Sequence, residues 1–218
     1  MKLDGMEEYT GKVYSQFLKD SGTIVVSERG KFFLSKRSKT FSEPSAIKKV
    51  SDYGIAPVIW VGESNILQPF VNFEPIKPEL KNLAEIMKKI HSNKQNNLTL
   101  VHGDFGSHNT TTYLGETKCF DYEYSHWGSP YIDLGRVVLR ECKSEEDVNL
   151  LLENYFGGIP SLQELKLGFM DFCQRQYEMR REKNQDFQEV PLIRAKRLSK
   201  SGSTLAEILH AFKDPVTL

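Results

Sequence analysis

The chain of 218 residues is 39% hydrophobic and 27% charged, which predicts a globular protein with one sizeable domain or two small lobes. Its 29 basic residues balance its 29 acidic residues, which argues against a general electrostatic hold on nucleic acid or on an anionic membrane surface. Three widely spaced cysteines predict buried free thiols, and the polar N-terminal stretch with no long apolar run predicts a cytoplasmic protein without a membrane span.

Residues 1–71 are predicted to form a β-rich lobe. Four runs rich in β-branched or aromatic residues predict strands: Gly22–Ser27, Lys31–Lys36, Val58–Val61 and Ile66–Val71. A short helix is expected over Glu43–Tyr53, with Pro44 in its first turn and Gly54 at its end.

After Pro78 the apolar period changes to that of a helix, and residues 72–218 are predicted to be mainly helical. Capping boxes are expected at Ser144 with Asp147 and at Ser161 with Glu164. Pro191 is placed to start a last helix, which Gly202 interrupts. A β-rich part followed by an α-rich part is typical of an α+β protein with a cleft between two lobes.

The residues best suited to chemistry lie between Val101 and Arg136. His102-Gly103-Asp104 is followed by Asn109 and, after a predicted hairpin, by Asp121. Mg²⁺ prefers carboxylate and amide oxygens, and Asn109 and Asp121 supply one of each if the hairpin brings them together. Asp104 is then placed to orient an attacking hydroxyl and to accept its proton in phosphoryl transfer from ATP.

This segment resembles the aminoglycoside phosphotransferase and choline kinase group, a distant relative of the protein kinases. The matching motifs are, in order, His102-Gly103-Asp104 with Asn109, Asp121-Tyr122-Glu123-Tyr124, Gly128-Ser129-Pro130 and Asp133-Leu134-Gly135. The resemblance implies a two-lobed protein-kinase-like fold of the α+β class, with a nucleotide-binding lobe at 1–71 and a catalytic and substrate lobe at 72–218. It also implies that Asp133 anchors the catalytic loop through hydrogen bonds.

The resemblance continues upstream and implies ATP and Mg²⁺ as cofactors. Phe33-Leu34-Ser35-Lys36 is similar to the strand that carries the phosphate-binding lysine of the group, and Glu43 matches that lysine's partner. Backbone groups near Gln68 and Phe70 are implied to contact adenine.

These features predict a small-molecule kinase that phosphorylates a hydroxyl of an amino alcohol such as choline, a sugar or an aminoglycoside, with Asp104 as base. The alternatives are a protein kinase and a pseudokinase that binds nucleotide or a partner without turnover. The short interval from Asp121 to Gly128 leaves no activation segment of usual length, which argues against a protein kinase. The complete set of catalytic residues argues against a pseudokinase.

The nature of the acceptor stays open in the sequence. An aromatic cage for a quaternary ammonium is conceivable around Trp127 and Tyr124, whereas Tyr122 and Tyr131 are better explained as core residues. Acidic residues beside Asp104, for which Glu141, Glu145 and Glu146 are candidates, would favour a cationic acceptor. A basic lining would favour a phosphorylated or acidic sugar.

Overall fold

A computed structural model describes residues 23–28, 31–37, 46–47, 49–50, 60–61, 65–69, 78–113, 116–182, 185–187 and 189–216. In the strands before residue 70 it describes the backbone. Glu43 and Phe70, predicted to take part in nucleotide binding, lie outside the described residues. Among the described helices, none is both long enough and apolar enough to cross a membrane.

The N-terminal part contains the four predicted strands as one antiparallel sheet. They are β1 (Thr23–Glu28), β2 (Lys31–Arg37), β3 (Trp60–Val61) and β4 (Asn65–Pro69), in the order β1-β2-β4-β3. The register pairs Lys36 with Ile66 and Leu34 with Gln68, so Lys36 and Gln68 lie on adjacent strands. A short helix, α1, includes residues 46, 47, 49 and 50, within the range predicted to be helical.

Five short strands in the next part of the chain hold the loops of the candidate site. β5 (Lys94–Gln95), β6 (Leu98–Val101) and β9 (His126–Gly128) form one sheet in the order β5-β6-β9, and β7 (Thr110–Tyr113) and β8 (Glu116–Cys119) form the predicted hairpin. The pairing of β6 with β9 sets Val101 opposite His126. The segment between these two residues therefore leaves and re-enters the sheet at the same end.

Six further helices account for most of the remaining chain. They are α2 (Leu80–His91), α3 (Tyr131–Arg140), α4 (Glu145–Phe156), α5 (Leu162–Glu182), α6 (Glu189–Lys200) and α7 (Leu205–Lys213). The capping box of Ser144 and Asp147 is formed. The box predicted at Ser161 is half formed, because Glu164 donates its N–H to the Ser161 hydroxyl at 3.2 Å but uses its carboxylate to accept from the Tyr131 hydroxyl.

One helix start differs from the prediction. α6 begins at Glu189, so Pro191 lies inside the first turn instead of opening the helix. A proline fits there because the amides of a first helical turn have no intrahelical acceptor. Gly202 lies between α6 and α7, where the interruption was predicted.

The main core lies between the helices. α2 buries the predicted apolar face, including Leu83, Met87 and Ile90. α3 packs closely on α5 through glycines, since a Cβ at Gly135 would come within 2.7 Å of the Phe172 ring and a Cβ at Gly168 within 2.2 Å of the Tyr131 ring. This contact fixes α3, which carries several residues of the candidate site.

The three cysteines are free and buried, as predicted. Cys119 ends β8, Cys142 follows α3, and Cys173 lies in α5. Burial raises the pKa of each thiol, to about 12 for Cys142 and Cys173.

Candidate active site

Asp133, in the first turn of α3, holds the loop that follows β6. Its carboxylate accepts the backbone N–H groups of His102 at 2.7 Å and Gly103 at 2.9 Å, and Nε2 of His91 at 3.0 Å. Burial acts to raise the pKa of Asp133, but the hydrogen bond and charge of His91 outweigh it and the pKa lies below its usual value. This buried carboxylate therefore stays ionised and fixes the backbone just before Asp104.

Gly103 occupies a position that only glycine fits. Its φ is +82°, and a Cβ would lie 2.3 Å from the carbonyl oxygen of Tyr124. Backbone strain and a backbone clash thus act together at this residue. The close contact ties the loop to the turn that follows Asp121.

Replacement of Gly103 by Ala is expected to lower the free energy of unfolding by about 2–5 kcal/mol, since left-handed backbone costs roughly 1–2 and overpacking roughly 1–3. The matched control is Gly157→Ala. Gly157 has a φ of +79° but nothing within 4 Å of the added Cβ, so its variant carries the backbone cost alone. Chemical denaturation of both variants measures the difference. Equal losses would show that the Tyr124 contact contributes nothing.

His102 is a buried residue that holds the loop through both of its ring nitrogens. Its Nε2 donates to the carbonyl of Phe120 at 2.8 Å, and its Nδ1 accepts the backbone N–H of Asp104 at 3.3 Å. Burial lowers its pKa, which favours the neutral imidazole that this pair of hydrogen bonds requires. The ring thereby connects the loop at Asp104 to the residue preceding Asp121.

The β7–β8 hairpin brings Asn109 to the segment that contains Asp121. Thr110 pairs with Cys119, and the N–H of Phe120 donates to the carbonyl of Asn109 at 3.0 Å. The Asn109 amide nitrogen donates to the carbonyl of Asp104 at 2.9 Å. Asp121 itself has φ 65° and ψ 60°, a left-handed conformation that costs energy for a residue with a side chain. Such strained residues concentrate at ligand and catalytic sites.

The Asp104 carboxylate lies among cationic and polar groups. Oδ1 is 2.6 Å from Nη1 of Arg136 and 3.4 Å from Nη1 of Arg140, and Oδ2 is 3.4 Å from Nε2 of His108. Partial burial acts to raise the pKa of Asp104, but the His108 hydrogen bond and the two arginines outweigh it and lower the pKa to about 2. Asp104 is therefore a carboxylate at neutral pH.

No family model and no curated protein matches this sequence. Solved structures do match. Choline kinase LicA from Streptococcus pneumoniae shares 14% identity over 82% of this chain and 89% of its own, with a TM-score of 0.58. A choline/ethanolamine kinase family protein from Mesorhizobium loti shares 14% identity over 94% of this chain and 93% of its own, with a TM-score of 0.62. Spectinomycin phosphotransferase APH(9)-Ia, in complex with ADP and spectinomycin, shares 11% identity over 89% of this chain and 90% of its own, with a TM-score of 0.52.

The chain has the protein-kinase-like fold of these phosphotransferases. The kinase-like fold is α+β, as predicted, with a small sheet in the N-terminal part and mainly helices after residue 78. Function within a shared fold depends on the site, which must be argued from this chain's own residues.

The polar groups at the base of the hairpin fit a magnesium ion that is shared with a nucleotide. Within the described part of the chain, no group of three or more His, Cys, Asp or Glu side chains forms a closed metal site. Mg²⁺ needs no such cage, because it typically uses one or two carboxylates together with water and phosphate oxygens. Since the Asn109 amide nitrogen is engaged with Asp104, the groups that would hold such an ion are the Asn109 oxygen and the Asp121 carboxylate.

Sequence reasoning missed the two arginines that contact Asp104 in the kinase-like fold. Arg136 and Arg140 lie four residues apart on α3, so they share a helix face. The sequence signal that could have identified them is this pair of arginines, four residues apart, directly after the Asp133-Leu134-Gly135 motif. Arg136 is buried, and its only ion pair among the described residues is with Asp104. A buried arginine of this kind fixes the carboxylate that it pairs with.

The acidic and aromatic side chains that were considered for binding a cationic acceptor have other contacts in the structure. Glu141 accepts the backbone N–H of Ser107 at 3.0 Å and its hydroxyl at 2.6 Å, so this carboxylate supports the loop. Tyr122 and Tyr131 are buried, as predicted, and the Trp127 ring has the ammonium of Lys49 at 5.4 Å from its centroid.

Proposed function

We propose that the protein is a phosphotransferase that uses ATP and Mg²⁺ to phosphorylate a hydroxyl of a small molecule. The observation that carries the proposal is the ionised Asp104 carboxylate, held on the same loop as Asn109 and next to the hairpin that leads to Asp121. The fold supports it: the relatives include a spectinomycin phosphotransferase with ADP bound and a choline kinase with AMP bound. Three free thiols fit a reducing, cytoplasmic location.

The nucleotide is assigned to both parts of the chain. In this proposal residues 1–71 form the nucleotide-binding lobe, in which Lys36 with Glu43 holds the α- and β-phosphates and the backbone near Gln68 and Phe70 meets adenine. Residues 72–218 form the catalytic and substrate lobe, in which Asn109 and Asp121 hold Mg²⁺. The bound ion would neutralise charge on the phosphate oxygens.

Asp104 would act on the acceptor hydroxyl through its second oxygen. Arg136 holds Oδ1 at 2.6 Å, whereas the contacts of Oδ2 are longer: 3.4 Å to Nε2 of His108 and 3.5 Å to the amide nitrogen of Asn109. Oδ2 then accepts a hydrogen bond from the hydroxyl, whose oxygen bonds to the γ-phosphorus as the bond from that phosphorus to ADP breaks. The hydroxyl proton passes to Asp104. A carboxylate with a pKa of about 2 is a weak base, so orientation is its main contribution and proton uptake comes late.

The alternatives have less support. Between Asp121 and Gly128 the chain forms a short 3-10 helix and β9, with no room for the long regulatory segment of a protein kinase. A pseudokinase would have no need for an ionised Asp104 beside Asn109. Turnover with a small acceptor separates the proposal from both.

Replacement of Asp121 by Ala is expected to weaken Mg²⁺-dependent ATP binding at least about tenfold, because hard cations bind weakly once their carboxylate is lost. Titration calorimetry with ATP, with and without Mg²⁺, measures the effect. Asp171→Ala, which removes an exposed carboxylate from α5, is the control and should bind as wild type does. Undiminished Mg²⁺-dependent affinity in Asp121→Ala would refute the assignment.

A further inference from the structure

The surroundings of Asp104 bear more positive charge than this one carboxylate neutralises. Arg136 and Arg140 both direct Nη1 at Oδ1, and Arg140 also lies 2.8 Å from Nε2 of His108. The Arg140 side chain is 46% exposed, so a ligand in solution can reach its guanidinium. Two guanidiniums thus share one carboxylate oxygen, and the outer one stands at the open side of the site.

Two neighbouring acidic groups have other partners. The Asp133 carboxylate accepts hydrogen bonds from His91 and from two loop N–H groups, and the Glu141 carboxylate accepts one from the Ser107 hydroxyl. Across the described residues, neither Arg136 nor Arg140 has an ion pair with any carboxylate other than Asp104. Nε of Arg136 is buried without a hydrogen-bond partner in the same part of the chain.

More positive charge comes from the helices that follow α3. Burial lowers the pKa of Arg136, and the nearby charges of Arg140 and Arg180 lower it further. Arg180, in α5, is held by a hydrogen bond from Nη1 to the carbonyl of Phe187 at 3.0 Å. Burial likewise lowers the pKa of Arg194 in α6, and Arg180 contributes to this shift. The charge of Arg180 in α5 therefore acts on a guanidinium of α3 and on one of α6.

We infer that the acceptor is an anionic alcohol, whose phosphate monoester or carboxylate group is bound by Arg140 while its hydroxyl meets Asp104. This inference rests on the proposed function and names the class of its substrate. A guanidinium presents paired N–H donors that match two oxygens of a carboxylate or phosphate. A cationic amino alcohol would instead meet like charge, and the aromatic residues suited to caging it are partly in the core.

The test compares acceptors that share a polyol scaffold and carry different charged groups. Glycerol, glycerol phosphate and glycerate form one series, ribose, ribose phosphate and ribonate a second, and choline and ethanolamine supply the cations. ADP release with Mg-ATP gives kcat/KM, and calorimetry in the presence of Mg-ADP gives acceptor affinity. The phosphate and carboxylate members show which acid group is preferred. We expect at least one anionic member to exceed its neutral counterpart about tenfold or more in kcat/KM, an effect of the size expected for one charge-assisted contact.

Variants of Arg140 test whether this residue is the source of the preference for anionic acceptors. Arg140→Ala should reduce the ratio of anionic to neutral kcat/KM to near one, and Arg140→Lys should keep part of it because the charge remains without the paired donors. Arg181→Ala removes an exposed guanidinium from α5 instead of α3 and should retain the full ratio.

The outcomes separate the inference from the proposed function. Equal or faster turnover of neutral or cationic acceptors overturns the inference and leaves the phosphotransferase intact. Binding of Mg-ATP without binding or turnover of any anionic member also overturns the inference. Absence of Mg²⁺-dependent nucleotide binding in the wild type refutes the proposed function itself.

Discussion

Replacement of Asp104 by Asn is expected to lower kcat about 10²–10⁴-fold, the usual range for loss of a general base, and to leave ATP affinity nearly unchanged. The amide keeps the size of the carboxylate but loses the charge that orients and deprotonates the hydroxyl. An interaction made with the acceptor in the transition state affects turnover more than nucleotide binding. Steady-state kinetics with an identified acceptor and calorimetry with Mg-ATP supply the two measurements.

The stability of the same variant must be measured beside its kinetics. The Asp104→Asn substitution would leave the buried Arg136 without its ion pair, so part of any loss of activity could come from local unfolding. Arg140→Ala is the matched control for stability, because it removes an exposed cation from Asp104 while the carboxylate stays. Unchanged turnover in a folded Asp104→Asn protein would show that Asp104 is not the base.

Replacement of Asp133 by Ala is expected to lower the free energy of unfolding by about 3–5 kcal/mol, the range for breaking a buried ionic interaction. Two buried backbone N–H groups, those of His102 and Gly103, would lose their acceptor, and His91 would lose its carboxylate partner. Activity should fall as well, since the loop before Asp104 is no longer fixed. Chemical denaturation gives the stability, and assays well below the transition midpoint give the activity.

Asp147→Ala provides a matched control for Asp133→Ala. Asp147 also accepts two backbone N–H groups, those of Lys143 at 2.7 Å and Ser144 at 3.3 Å, but these bonds are exposed. Loss of this helix-capping interaction should cost only about 1 kcal/mol. If the two variants lost equal stability, burial would not be the source of the strength of the Asp133 anchor.

The features that the sequence predicted best are those that depend on residues close together in the chain. The hairpin between Asn109 and Asp121 follows from two short strand-like runs around a glycine, and the structure confirms it. The hydrogen bonds of Asp133 to the loop were implied by the family resemblance and are present. The roles of Lys36, Glu43, Gln68 and Phe70 in nucleotide binding stay predictions.

What the sequence did not predict depends on packing between distant segments. Arg136 directly follows a motif, and its pairing with Asp104 requires α3 to lie against a loop 32 residues earlier. The position of α3 in turn depends on glycines that allow its approach to α5. Glu164 left its predicted capping role because the Tyr131 hydroxyl comes within its reach only in the folded chain. No local pattern encodes such contacts.

The buried cysteines allow local unfolding of the chain to be measured by thiol labelling. Buried thiols whose pKa values are raised by burial react with alkylating reagents only when local unfolding exposes them to water. Cys119 ends the strand that leads to Asp121, whereas Cys173 lies in the middle of α5. Their separate labelling rates, read by mass spectrometry of peptides, would compare the opening of the hairpin with that of the helical core without any engineered probe.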